Sequence, residues 1–279
     1  GWTNPLIADW FADYARVVYS LYADRVKSWL TINEPLIICD ATYNTGILAP
    51  TVVDPEVGTY LCNKYVLMAH AKAWRVYDEE FRAQYRGQYL AIGDLPCPME
   101  SYHLSILSQN IRKAFKKYYV NIEIRVGTEL PYFMVPGEVS IANHLIWFEP
   151  ETPENEDIAE LAREYTVGRY SHPIYSKEGG WPPAIEKVMA ENSKKQGYPR
   201  TNLPPFTPEE IELVKGTYDF YAMNHYTSRV IRHAKQGEVL ITENGYPNTG
   251  GRDDYDRIDF YKKYLKQVHH YQQSGDVHC

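Results

Sequence analysis

An α/β fold with parallel strands is what this sequence predicts, and three observations predict it. Short runs rich in β-branched and aromatic residues alternate with longer segments of helical periodicity, the order expected of parallel strands joined by helical crossovers. Start and stop signals bracket several of the helical segments. No GxGxxG or P-loop follows any strand, so the nucleotide-binding versions of the fold have no motif support. Open doubly wound sheets and closed barrels both fit this alternation, and about four or five strands are discernible.

The elements follow in order. PLIADWFADYARVVYSLY, residues 5–22, sets Ile7, Phe11, Tyr14, Ala15 and Val18 at helical spacing. VKSWLTIN, residues 26–33, is short and rich in Val, Trp, Leu, Thr and Ile, so it reads as a strand closed by Pro35. A loop with Gly46, Pro50 and Pro55 leads to a helix over about 57–84, whose apolar positions are Val66, Leu67, Ala69, Ala73, Val76 and Tyr77. Residues 88–137 hold neither period for long, and no element is placed there. EVSIANHLIWF, residues 138–148, is a second strand. Thr152-Pro153 then opens an acidic helix to about 169, with proline and acids where a first turn wants them. Helices follow over 182–194 and 207–215. The latter starts on the capping box Thr207-Pro208-Glu209-Glu210 and stops at Gly216. TYDFYAM (217–223) and GEVLITEN are further strands, and 253–273 is a last helix.

The chain has 279 residues, 44% hydrophobic, enough for the core of one domain. A net charge of −7 argues against nucleic acid or an anionic membrane as partner. No apolar run approaches the roughly 18 residues of a membrane span. The 25 tyrosines suit a wet, concave binding site as well as a core edge. Four cysteines without a CxxC make a zinc site a poor expectation. Cys39 and Cys62 flank the Gly/Pro loop. They are either two free thiols or a disulfide closing that loop, worth roughly 3 kcal/mol by chain entropy.

Two strands share an unusual ending. SWLTINEP, residues 28–35, meets Glu34 after Asn33; EVLITENG, residues 238–245, meets Glu243 before Asn244. Parallel α/β folds collect their reactive groups at the C-terminal strand ends, so two such carboxylates can face one pocket. A carboxylate pair suits glycoside hydrolysis, one protonating the leaving oxygen and the other attacking the anomeric carbon or activating water. The plainer reading makes each a solvated loop residue. Plainer readings also serve for His70 as a packed or surface histidine, and for Asn143, His144 and Trp147 as structural residues of a strand. Met223 and the aromatic run 218–221 read most simply as core.

At these residues the sequence resembles the family-one glycoside hydrolases, the β-glucosidase family, and in particular insect β-glucosidase and myrosinase-like members. TINEP at 31–35 resembles the family's acid/base motif, and ITENG at 241–245 its nucleophile motif. GWTNP at the start, DRVKSWLTINEP at 24–35, AHAKA at 69–73, YDFYAMNHYTS at 218–228 and DYDRIDFYKKYL at 254–265 extend the likeness. The resemblance implies a (β/α)8 TIM barrel, here one partial domain lacking strands one to three and eight and carrying 88–137 as an atypical insert, and a retaining double displacement on β-linked O-glycosides. Carried over, it makes Glu34 the acid/base and Glu243 the nucleophile. Asn33 would contact the hydroxyl beside the anomeric carbon, Tyr226 would hydrogen-bond the nucleophile, and Asn224 would line the site. It implies a small-molecule β-glycoside partner, no metal, no organic cofactor and a secreted protein. Plant myrosinases replace the acid/base with Gln, so Glu34 favours O-glycosides over a purely thioglucosidase role. The missing strands would carry most of the sugar clamp, which makes a non-hydrolysing carbohydrate-binding or interaction relative the alternative expectation.

Overall fold

The computed structural model describes residues 1–85 and 137–234. Its centre is a sheet of three parallel strands in the order of the chain, β1 (Ser28–Asn33), β2 (Glu138–Pro150) and β3 (Ala222–Ile231). Around it run α1 (Ile7–Tyr22), α2 (Pro35–Cys39), α3 (Gly58–Val76), α4 (Glu156–Arg163), α5 (Arg169–Tyr175), α6 (Pro183–Lys195) and α7 (Pro208–Val214). The expected alternation is present, and with it the parallel pairing.

The central strand β2 is buried on both faces through its first half. Val139, Ile141, Asn143 and Leu145 point one way and Ser140 and Ala142 the other, all with almost no exposure. That is the pattern of a strand covered by neighbours on both sides. On α3 and the π-helical turn Tyr77–Phe81 that continues it, every apolar residue named from the sequence is buried: Val66, Leu67, Ala69, Ala73, Val76 and Tyr77. This helix joins both core clusters, one reaching Ile32, Ile141, Tyr170 and Ile174, the other Ala12, Tyr19, Phe81 and Val139.

Several expectations need correction. The sequence reading put Tyr14 on the buried stripe of α1; the buried stripe is Ala8, Ala12, Ala15 and Tyr19, and Tyr14 is exposed. The helix is apolar on more than one side, and its small residues allow the closest approach to α3. Pro35 does not simply close a strand. It is the first residue of α2, where a missing N–H costs nothing. The acidic helix runs past 169: a 3-10 turn at Pro153–Asn155, α4, a π-helical turn at Glu164–Gly168 and then α5 follow without a break. The strand expected over 217–223 begins at Ala222 instead and continues to Ile231. Before it, Asp219 exchanges backbone and side-chain bonds with Val139, its N–H donating to the Val139 carbonyl at 3.0 Å and its Oδ2 accepting from the Val139 N–H at 2.7 Å. Tyr218 and Tyr221 pack on the core, as read, half-buried.

Cys39 and Cys62 form a disulfide that joins the end of α2 to α3. The capping box is present at Thr207 and Glu210, and Glu210 also takes the largely buried Lys64 ammonium at 2.7 Å. The insert read at 88–137, except Gly137, and the last strand and helix lie outside the described residues.

Candidate active site

Glu34 follows β1 directly. The β1–β2 ladder slips between Leu30 and Asn33, so the strand end is re-aimed just ahead of it. Its N–H donates to the Ala142 carbonyl at 2.8 Å, which ties the turn to β2. Its backbone stands in the left-handed region, φ 50° and ψ 64°, a conformation that costs a non-glycine residue ~1 kcal/mol or more. Such strain persists where surroundings over-determine it, and it concentrates at working sites.

Three of the expected site residues meet here. The Asn224 amide on β3 donates from Nδ2 to Glu34 Oε1 at 2.9 Å and to Asn33 Oδ1 at 3.0 Å. Tyr226, two residues further on, sits where the β2–β3 register slips; it is 75% exposed and reaches neither Asn33 nor Glu34. Its ring instead stacks on His144, with centroids 5.7 Å apart. Glu243 lies outside the described residues.

His144 corrects the reading that made it structural. Its Nδ1 lies 3.2 Å from Glu34 Oε1, and its Cα stands opposite Asn224 in the β2–β3 ladder. The one signal available was a titratable residue inside the apolar run IANHLIWF. Asn143 and Trp147 are structural, as read. The Asn143 amide donates to Ser171 at 3.2 Å, and the Trp147 indole donates to Glu149 at 2.8 Å.

A rigid polar layer supports the site. Thr31, on β1, and His70, on α3, are joined at 2.7 Å. The other ring nitrogen of His70 lies 2.7 Å from the Thr217 carbonyl, so Nε2 carries the proton and Nδ1 accepts from the Thr31 hydroxyl. The ring is fully buried, and desolvation lowers its pKa to about 4. Ser171 links Asn143 to the Tyr221 hydroxyl, whose pKa burial pushes up to about 12. These groups stay neutral near neutrality and hold the strands in register rather than exchange protons. No cluster of His, Cys, Asp and Glu able to hold a metal occurs among the described residues.

The arrangement offers one half-buried carboxylate at a C-terminal strand end, gripped on one oxygen. The chain is 29% identical to Myrosinase 1 of Brevicoryne brassicae over 316 aligned positions, covering 95% of this chain and 57% of that protein. It is 30% identical to the cytosolic beta-glucosidase of Cavia porcellus, covering 86% of this chain and 41% of that one. Among solved structures, an aphid myrosinase superposes with a TM-score of 0.62 at 27% identity, over 99% of this chain and 59% of the other. The chain thus spans about half the length of the curated relatives it matches. The structural neighbours are (β/α)8 barrels, and three parallel strands with their helices fit a part of one. Residues 1–129 and 130–239 match glycosyl hydrolase family 1, and the chain belongs to that family.

Proposed function

We propose that this chain carries both glutamates of a retaining β-glucosidase-type site acting on β-linked O-glycosides. Glu34 protonates the glycosidic oxygen as it leaves, then takes a proton from the incoming water. Glu243 attacks the anomeric carbon and leaves as the glycosyl-enzyme is hydrolysed. Retention asks for carboxyl groups about 5–5.5 Å apart. The observation that carries the reading is Glu34 itself: a strained residue at a strand end, with Oε1 held by Asn224 and His144. Asn33 and Asn224 supply the polar edge toward a sugar hydroxyl, and the exposed Tyr226 ring offers a stacking face. The disulfide supports an oxidising compartment and so a secreted protein.

The test is release of nitrophenol from an aryl β-glucoside by the folded chain, with loss of roughly 100-fold or more in Glu34→Gln and in Glu243→Gln. Turnover no higher than buffer would exclude hydrolysis by this chain. The exposed Tyr226 ring beside the amide edge of Asn33 and Asn224 also suits a second reading, sugar binding without turnover. Heat released on titration with glucose, with no hydrolysis of the aryl glucoside, would select it.

A further inference from the structure

We propose that His144 is a positioning residue for Glu34, one that fixes which carboxyl oxygen carries the acidic proton. The inference rests on the acid/base reading of Glu34. Oε1 lies 2.9 Å from the Asn224 amide and 3.2 Å from His144 Nδ1, and in the tautomer that protonates Nδ1 both donate to it. A carboxyl oxygen has two lone pairs, so these two donors fill Oε1. Oε2 has no hydrogen-bonding partner among the described residues. The proton that Glu34 gives to a leaving group therefore sits on Oε2, and the carboxyl plane is set by what holds Oε1.

His144 contributes what Asn224 alone lacks. A single donor leaves the carboxyl free to swing about that bond; two donors from different directions define its plane. The two sit opposite each other on adjacent strands, β2 and β3, so the sheet fixes their spacing. The imidazole is itself oriented. It is largely buried, its ring is nearly parallel to that of Tyr226 at an interplanar angle of 28°, and Nδ1 is left facing Oε1. Tyr226 thereby acts on Glu34 through His144, a link that its position in the sequence does not suggest.

The role has a signature. A positioned acid matters most where the departing group needs a proton, so alkyl glycosides depend on it and dinitrophenyl glycosides hardly do. In His144→Ala, kcat on an alkyl β-glucoside should fall about 10- to 100-fold, the usual consequence of a misplaced catalytic group. KM for the alkyl β-glucoside should stay nearly constant, and kcat/KM of the dinitrophenyl β-glucoside, which reports only a bond cleavage that needs no proton, should change little. His144→Asn, which keeps a planar donor, should recover most of the loss. Equal losses of kcat/KM on the two glycosides, or no recovery in His144→Asn, would overturn the proposal. A second measurement needs no turnover. The side-chain amide resonance of Asn224, assigned through Asn224→Asp, should shift or broaden in His144→Ala as the carboxyl loses its second anchor, and return in His144→Asn. An unmoved resonance also overturns the proposal. If the unsubstituted chain hydrolyses nothing while that resonance behaves as expected, the hydrolase reading falls and the carboxylate clamp stands.

Discussion

His70 is a titratable side chain that the fold uses for its shape. It bridges β1 and the segment before β3 through Thr31 and Thr217, and both ring nitrogens are occupied. Burial lowers its pKa from 6.5 to about 4, so the unfolded chain binds a proton that the native chain refuses between those values. Native stability is then complete above about pH 6.5 and declines as the pH falls toward about 4, by up to roughly 3 kcal/mol from this one residue. Urea unfolding at pH 7 and at pH 4.5 measures it. His70→Gln is expected to lose stability at pH 7, because Thr31 and the Thr217 carbonyl lose a fitted partner, and to lose less on acidification than the unsubstituted chain does. An equal acid loss in both proteins would place the effect on other groups. At the same scale, the AHAKA motif that contains His70 gave no hint of its two partners. They arrive from residues 39 positions before it and 147 after it, a placement that only tertiary packing makes.

The element that most affects the site is α2, five residues fastened at both ends. Pro35 starts it straight after the strained Glu34, and Cys39 ends it in a bond to α3. Replacing Cys39 and Cys62 by Ser is expected to cost roughly 3 kcal/mol, the chain entropy of a loop of that length. Guanidinium unfolding of the double variant against the parent, both without reductant, reads it directly; a difference below about 1 kcal/mol would mean that packing alone anchors α2. Elements of this kind were the hardest to see in the sequence. The helix at Pro208–Val214 was legible because its capping box is written in adjacent residues. The strand at Ser28–Asn33 was legible because its β-branched run ends at a proline. By contrast α2 is too short for periodicity to register, and the start of β3 is set by Asp219 bonding to Val139, 80 positions away. The candidate site divides in the same way. Glu34, Asn33 and Asn224 were marked by local motifs and do meet, whereas His144 joins them only through the β2–β3 register.

Over the whole molecule, the burial of α1 leaves something over. Ala8, Ala12, Ala15 and Tyr19 face α3, while Leu6, Trp10, Tyr14, Val17 and Leu21 stand exposed at spacings of three and four. These five share a second face of the same helix, a continuous apolar stripe rather than scattered single residues. On the sheet, β1 pairs with β2 alone among the described residues, and Leu30 on β1 is half exposed. An apolar helix face and a strand edge unpaired among the described residues are surfaces that water covers poorly and another polypeptide covers well. The chain in solution is therefore expected to self-associate and to enhance the fluorescence of ANS. Placing charge on the stripe, with Trp10→Glu and Val17→Lys together, should shift light-scattering mass toward the monomer and reduce dye binding. The melting temperature should change by no more than a few degrees, because neither side chain belongs to a core cluster. A parent chain that is monomeric and silent to the dye would mean that this face is covered within the chain itself.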